Sequence, residues 1–408
     1  MGHHIDKFSN HIKNILHGFF LAIGTTIAEP STILPLMVNY FGGSSILVGF
    51  FAALLRGGAI VVQLFAAFKA QHYPQMIKYL RRVFMVRFLA WFFIGVAIIV
   101  FGEEHPALTL FFIGLGLFIF SFSAGFGAIY FKEIVAKIFS HKFRGKTMAY
   151  RQFFTALGAL ISGALAGLVL EQYEAPYSFG YLFIISSVLM GFGYIAMGTI
   201  DEPIKEKTAP PNKSFKIFLH NALMTLKMDR DLQVQVSVFL FAYGYLMALP
   251  FIILHAKETI DLTGTAIGIL ITAQMVGAML SNFVWGKLSG SGRNRLTASV
   301  ALFFHMLAIS LAFWADTLYA YMAIFFIVGG AADGVRIASG NLILILAPEE
   351  KRPVYVALQI NIVSFGMFFS ILGGLVLQFS SYNVLYGLTL LFLLAAFILS
   401  FKLKDSVE

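Results

Sequence analysis

Long apolar runs alternate with short polar gaps along almost the whole chain, and most runs reach the roughly 20 residues an α-helix needs to cross the hydrocarbon of a bilayer. They fall near residues 15–41, 45–68, 83–101, 107–131, 147–170 and 178–200, and a second set falls near 232–255, 264–286, 296–315, 318–346, 355–379 and 382–401. Between the sets, residues 201–231 are polar, hold Pro203, Pro210 and Pro211, and include an amphipathic stretch from Ser214 to Met228. The pattern predicts an all-α integral membrane protein with twelve transmembrane helices in two six-helix halves, 1–200 and 232–408, joined by a cytoplasmic linker, 201–231. Met1 to Asn14 is too polar for the apolar core of a signal peptide, and no small-residue cleavage site follows the first run, which is expected to remain as span 1.

Composition sharpens this picture: 59% of residues are hydrophobic, 12% are charged and the mean hydropathy is +0.83, far from globular averages. There is no cysteine, which excludes disulfides and thiolate metal sites. The formal charge of +9 would suit a nucleic-acid partner, but its placement argues otherwise. Of 29 Lys and Arg, all but Lys257, Arg56 and Arg336 fall in segments that lie on one side if the N-terminus is inside, counting with them Arg87 and Arg151 at the inner ends of spans 3 and 5. Basic residues are retained on the cytoplasmic side, so the charge reports topology with both termini cytoplasmic, not a nucleic-acid footprint. His3 and His4 are too few for a metal tract, and no metal or cofactor is expected.

The two sets of runs also resemble each other. A shift of 219 residues places Gly49 on Gly268, Gly58-Ala59 on Gly277-Ala278 and Gln63 on Asn282. A shift of 207 places Gly127 on Gly334, Gln152 on Gln359 and the Gly167 to Leu170 segment on Gly374 to Leu377. Both shifts carry span n onto span n+6, the mark of a parallel six-helix duplication. Small residues such as Gly163, Ala164, Ala166 and Gly167 suit close helix packing, which in lipid depends on short side chains.

With these features the chain resembles the major facilitator superfamily of secondary transporters over essentially its whole length. The most specific local match follows span 8, where Gly286, Leu288, Gly292, Arg293 and Arg295 resemble the family's cytoplasmic gating signature. One residue is missing there, and Gly290 or Ser289 replaces the expected acid. The loop after span 2 keeps only the basic end of that signature. Phe143-Arg144-Gly145-Lys146 before span 5 is similar to the family's Arg-Gly turn. It is not a nucleotide loop, because Ser140 stands where the leading glycine is needed and no strand precedes it. The resemblance implies a central cavity lined by spans 1, 4, 7 and 10, with spans 3, 6, 9 and 12 outside.

Ionisable residues inside a membrane suggest function by default. Glu29 in span 1 lies about 21 Å from that span's inner end, and Arg56 in span 2 about 18 Å from its own. Asp333 in span 10 is expected at the same level, with Arg336 one turn further in on the same helical face. Desolvation favours the neutral acid and a neighbouring arginine favours the anion, so loss of the arginine to a solute lets the acid take a proton. These four residues are the expected proton-coupling and solute site, and Pro30, Pro35 and Gly57-Gly58 are expected to break or kink the helices beside them. Tyr243, Tyr245, Asn341, Gln359 and Asn361 are candidate solute contacts, of which the two tyrosines, two apart, cannot both face one cavity. His305 is expected to be packed, and Gln63 and Asn282 to be structural or gating.

The expected function is a proton-coupled secondary transporter of a small solute, monomeric, in the inner (plasma) membrane. Alternatives are a drug or metabolite efflux antiporter of the same fold and a non-transporting membrane sensor or scaffold. The drug/proton antiporters carry Gly-Pro in span 5, whereas Gly167 here is followed by Leu168. An enzyme is not expected, since the sequence has no HExxH, no Gly-x-Ser-x-Gly and no cluster of histidines and acids.

Overall fold

In hydrocarbon every backbone N–H and C=O must find a partner within the protein, so long apolar runs fold as helices. The computed structural model describes residues 7–27, 29, 31–70, 73–204, 223–348 and 351–405, and among them there is no strand. Span 1 is formed by α1 (Lys7–Ile27) and α2 (Ile33–Tyr40), and span 2 by α3 (Ser45–Gly57) and α4 (Ile60–Ala70). Spans 3 to 6 are the single helices α5 (Ile77–Phe101), α6 (Pro106–Ile138), α7 (His141–Gln172) and α8 (Tyr177–Gly198). Span 7 is formed by α9 (Arg230–Ala242) and α10 (Tyr245–Thr259). Spans 8, 9 and 10 are α11 (Gly264–Gly290), α12 (Asn294–Ala312) and α13 (Leu318–Leu346). Span 11 is α14 (Arg352–Ser364) and α15 (Phe369–Phe379) with a 3₁₀ turn between them, and span 12 is α16 (Tyr382–Ser400). Among the described residues, ten helical stretches are long and apolar enough to cross a membrane, and these correspond to spans 3 to 12.

Four helices extend well past the limits that hydropathy suggested. Helix α1 starts at Lys7, α5 at Ile77 and α7 at His141, and α6 continues to Ile138. The added turns carry Lys and Arg, which depress a hydropathy average without breaking a helix. The interruption between Ile27 and Ile33 lies where prolines were expected to break span 1, although Pro30 itself is outside the described residues. Pro35 sits in the first turn of α2, where a missing N–H is tolerated. Spans 7 and 11 are broken too, at Gly244 with Pro250 in the helix that follows and around Gly366, positions not singled out from the sequence. The Ser214–Met228 stretch lies mostly outside the described residues, and residues 223–228 are helical.

The chain divides into two compact units, one of residues 1–43, 54–212 and 263–272, the other of 44–53, 213–262 and 273–408. In the first, span 1 packs on spans 5 and 6, and span 3 on spans 4 and 6. In the second, span 7 packs on spans 11 and 12, and span 9 on spans 10 and 12. Each pairing in one unit is thus the n+6 counterpart of a pairing in the other. The 219-residue shift also carries residues 44–53 of the second unit onto 263–272 of the first. Within the second unit, Ser370 Oγ donates to the Gly49 carbonyl at 2.9 Å; within the first, a Cβ on Gly163 would stand 3.1 Å from the Gly268 carbonyl oxygen.

The repeat extends to the polar helix ends. In the first unit the Glu202 carboxylate, just after span 6, accepts the N–H groups of Met76 and Ile77 at the start of α5, both at 2.7 Å, and pairs with Lys137. In the second, Asp405, just after span 12, accepts the Arg295 N–H at the start of α12 at 2.8 Å. An acid following the sixth helix of each set therefore meets the free N–H groups, and the partial positive charge, at the start of the third.

Asp229 caps α9 by accepting the Leu232 N–H at 3.0 Å, and it also accepts the Tyr355 hydroxyl. Partial burial would raise its pKa, but the Tyr355 hydrogen bond, the backbone N–H groups of Leu232 and Asp231 and the charge of Lys404 together hold it below the usual carboxylate value. A depressed folded-state pKa stabilises at neutral pH, and that contribution disappears as pH falls through the folded value. Asp229→Ala should therefore cost about 1–2 kcal/mol at pH 7. Thermal unfolding in detergent across a pH series should show the wild-type advantage shrinking below about pH 4; an advantage that stays constant into acid would contradict the assignment.

Candidate functional site

In the first unit, Glu29 occupies the interruption between α1 and α2. Its backbone carbonyl accepts from Thr32 at 3.2 Å and Leu34 at 3.4 Å, and its Oε1 accepts the Ser31 hydroxyl at 3.0 Å. Arg56, in the last turn of α3, donates through Nη2 to the same Oε1 at 3.2 Å. The break after Gly57 lets the Ser121 hydroxyl of α6 reach the Leu55 carbonyl at 3.0 Å. The ion pair is held by one hydrogen bond, not by the two-pronged fork arginine can offer a carboxylate. The Arg56 Nη1 group is buried with no hydrogen-bond partner.

In the second unit, Asp333 and Arg336 share a face of α13. Arg336 donates to Asp333 Oδ1 through Nη2 at 2.8 Å and Nε at 3.3 Å. Asn282 of α11 donates to Oδ2 at 2.8 Å. This reach is possible because α11 and α13 touch backbone to backbone. A Cβ on Gly277 would stand 1.9 Å from the Phe326 carbonyl oxygen, and one on Gly329 2.0 Å from that of Gln274. Arg336 is 62% exposed and Asp333 18%, so the arginine is the member of the pair open to a ligand.

The candidate solute contacts make protein contacts of their own. Asn341 donates to Ser289 Oγ at 2.6 Å and to Asn294 Oδ1 at 3.3 Å, tying α13 to the turn after span 8. Gln359 is buried, donates to the Ser339 carbonyl at 2.9 Å and accepts from Gln235 at 2.6 Å, linking spans 7, 10 and 11. Asn361 bonds back to the Ala357 carbonyl of its own helix at 2.7 Å. Tyr243 lies at the break in span 7, and the Tyr245 ring packs on His305 at 4.2 Å between centroids, with His305 fully buried.

The signature after span 8 builds a helix stop. Gly292 has φ +78, the Arg293 N–H reaches back to the Leu288 carbonyl at 3.1 Å and the Gly292 N–H to Ser289 at 3.0 Å. This is the double reverse bond that follows a helix ended by a left-handed glycine. Gly286 has nothing within 4 Å of a notional Cβ, so close packing does not account for it. Arg144, of the turn before span 5, donates to the Ala136 carbonyl at 2.9 Å and so caps the end of α6.

The structure adds a polar cluster whose two arginines were counted, from the sequence, with the basic inner segments. Arg87 and Arg151 each lie ten residues past the start of their helices, α5 and α7. Arg151 Nη1 donates to the Asn14 carbonyl at 2.7 Å and to His17 Nδ1 at 2.9 Å. Because arginine can only donate, Nδ1 of neutral His17 must accept, which places the histidine proton on Nε2. That nitrogen is buried without a partner, as is Arg87 Nε. Aromatic faces take up the charge: Arg87 lies 4.1 Å from the Phe120 centroid and Arg151 4.6 Å from that of Phe131. Among the described residues no carboxylate hydrogen-bonds either guanidinium. The signal was available as Asn10, Asn14 and His17, a polar stripe at helical spacing in α1.

Arg151→Ala would leave the buried His17 Nδ1 without a donor and remove the second bond to the Asn14 carbonyl, and should cost about 1–3 kcal/mol in denaturant unfolding. His17→Phe keeps the ring packing, and in the Arg151→Ala background its cost should fall by about 0.5 kcal/mol or more. Strictly additive costs would show that the two side chains act separately.

A sequence profile of the Major Facilitator Superfamily matches residues 15–230 and 234–408. A search of curated proteins finds no match. Among solved structures, the chain is similar to the nucleoside transporter NupG in a D323A mutant, with 12% identity, a TM-score of 0.74 and coverage of 97% of this chain and 98% of that one. It is similar to a D-xylose-proton symporter at 13% identity and a TM-score of 0.69, covering 97% of each chain. It is also similar to a bacterial homologue of the iron transporter ferroportin at 14% identity and a TM-score of 0.66, covering 96% of this chain and 98% of that one. Given a profile match along nearly its whole length, an all-helical architecture and these folds as neighbours, the chain is an integral multi-pass membrane protein that belongs to the major facilitator superfamily.

Proposed function

We propose that the protein is a proton-coupled secondary transporter of a small solute, working by alternating access in a cell inner (plasma) membrane, with Glu29 and Asp333 as the protonation sites. The observation that carries this reading is the state of the two acid–base pairs. Each combines an ionisable acid with an arginine that keeps hydrogen-bonding capacity in reserve. Arg56 has a buried Nη1 with no partner, and the Arg336 side chain is 62% exposed. An anionic or strongly polar solute that takes up those donors removes the positive charge that favours the carboxylate, and the acid then binds a proton. Movement of solute and proton are linked in that exchange. One of the similar structures is titled a proton symporter. The solutes in the neighbours' titles are a nucleoside, D-xylose and, for a homologue, iron, so they support a small solute without fixing its class.

In proteoliposomes carrying a pH gradient, Glu29→Gln should abolish gradient-driven uptake while leaving solute counterflow within about threefold, since counterflow needs no net proton movement. Asp333→Asn should do the same. Gradient-driven uptake at wild-type rates in both variants would show that neither acid is a protonation site. Arg336→Ala should weaken an anionic solute about tenfold more than a neutral one.

A further inference from the structure

On the first unit, α5 and α8 enclose a groove of about 460 Å³ near their basic ends. Phe84, Met85 and Phe88 line it from α5, and Tyr194 and Ile195 from α8, each set one helical stripe. Met85 is 65% exposed and Ile195 67%; in a bilayer such surface faces acyl chains, not water. Gly191 and Gly198 complete the α8 wall. A Cβ at either would meet its nearest neighbour at an ordinary distance, 3.4 Å to the Phe88 ring and 3.6 Å to Arg81 Cγ. Helix contact therefore does not demand these glycines, and what they do is keep the groove open.

Two cations are pinned at its rim. Arg81 Nε donates to the Gly198 carbonyl and Lys13 Nζ to the Thr199 carbonyl, both at 2.7 Å. Those carbonyls belong to the C-terminal end of α8, where unpaired C=O groups carry partial negative charge that holds cations in place. Each cation has used one N–H, which leaves four on Arg81 and two on Lys13. Lys78 and Arg82 are exposed on the adjoining surface of α5. Of the two acids nearby in sequence, Glu202 is paired with Lys137 and only Asp201 adds exposed negative charge, so the rim is net positive.

We infer that this groove is a binding site for an anionic phospholipid of the leaflet on the basic side. One acyl chain lies along the apolar walls, and the phosphate is held between Arg81 and Lys13. Basic pockets between transmembrane helices on the cytoplasmic side recognise such headgroups by this combination of charge and depth.

The test is thermal unfolding of the purified full chain in detergent, titrated with dioleoylphosphatidylglycerol, with dioleoylphosphatidylcholine, or with the chain-free headgroup glycerophosphoglycerol. The phosphatidylglycerol should raise the unfolding midpoint at lower concentration than the phosphatidylcholine, and the soluble headgroup should have no comparable effect. Lys13→Gln with Arg81→Gln should weaken the phosphatidylglycerol response ~10-fold or more, bringing it to the level of phosphatidylcholine. Because Arg81 also caps α8, Gly191→Leu supplies an independent arm: it fills the groove, keeps both cations and should weaken the response to both lipids. Equal responses of the wild type to the two lipids, a full response from glycerophosphoglycerol, or an unchanged phosphatidylglycerol response in the variants would each overturn the assignment.

Discussion

Hydrocarbon offers no hydrogen bonds, and the structure is organised by the need to satisfy backbone N–H and C=O groups from within. Continuous helices meet it for most of the chain. Spans 1, 2, 7 and 11 give up that continuity, and in spans 1 and 2 the side chains that compensate are the ones with chemistry. The Glu29 carbonyl takes the Thr32 and Leu34 N–H groups across the gap between α1 and α2, and its side chain then gathers Ser31 and Arg56. At the break in span 2 the Ser121 hydroxyl takes up the Leu55 carbonyl. The helix breaks and the Glu29–Arg56 pair are thus parts of one arrangement. An unbroken span 1 would present Glu29 from the side of a helix, with its carbonyl already committed.

The duplication is carried by physics as well as by residue identity. Few residues coincide under the two sequence shifts, yet the helix pairings recur at n+6, and so does the acid placed against the start of the third helix. Glu202 and Asp405 differ in residue type, in sequence neighbourhood and in partners, since Glu202 also holds Lys137. What persists is a negative charge at a cluster of free N–H groups. A helix N-terminus imposes that requirement whatever the surrounding sequence, so it survives where identity has faded.

This contrast explains how much could be read from the chain. Hydropathy located spans 3 to 12 because burial in lipid acts on every residue of a run at once. Asp333 with Arg336 was legible because three residues on one helix fix their own geometry. Glu29 with Arg56 could be matched only by depth. Asn282 as the third partner of Asp333 could not be reached from sequence, because it depends on Gly277 and Gly329 letting α11 and α13 touch. Arg87 and Arg151, at the inner ends of the expected spans 3 and 5, were counted with the basic segments that set topology and not weighed as charges inside a span. The helices continue for three turns through that region, and aromatic rings and an asparagine carbonyl accommodate the guanidinium groups.

The two carboxylates are not equivalent, which bears on how a proton could move a helix. Glu29 Oε1 receives Arg56 and Ser31, and both bonds lie beside a helix break. Asp333 receives Arg336 on one oxygen and Asn282 on the other, and the second bond ties α13 to α11 where their backbones are in contact. On the proposed reading, neutralising Glu29 releases an arginine, whereas neutralising Asp333 also loosens a contact between spans 8 and 10. Hydrogen bonds to a charged group are worth about twice those to a neutral one. On that reading, protonation of Asp333 would weaken an interhelical bond where Gly277 and Gly329 bring α11 and α13 into backbone contact, so a change of charge there would act directly on helix packing.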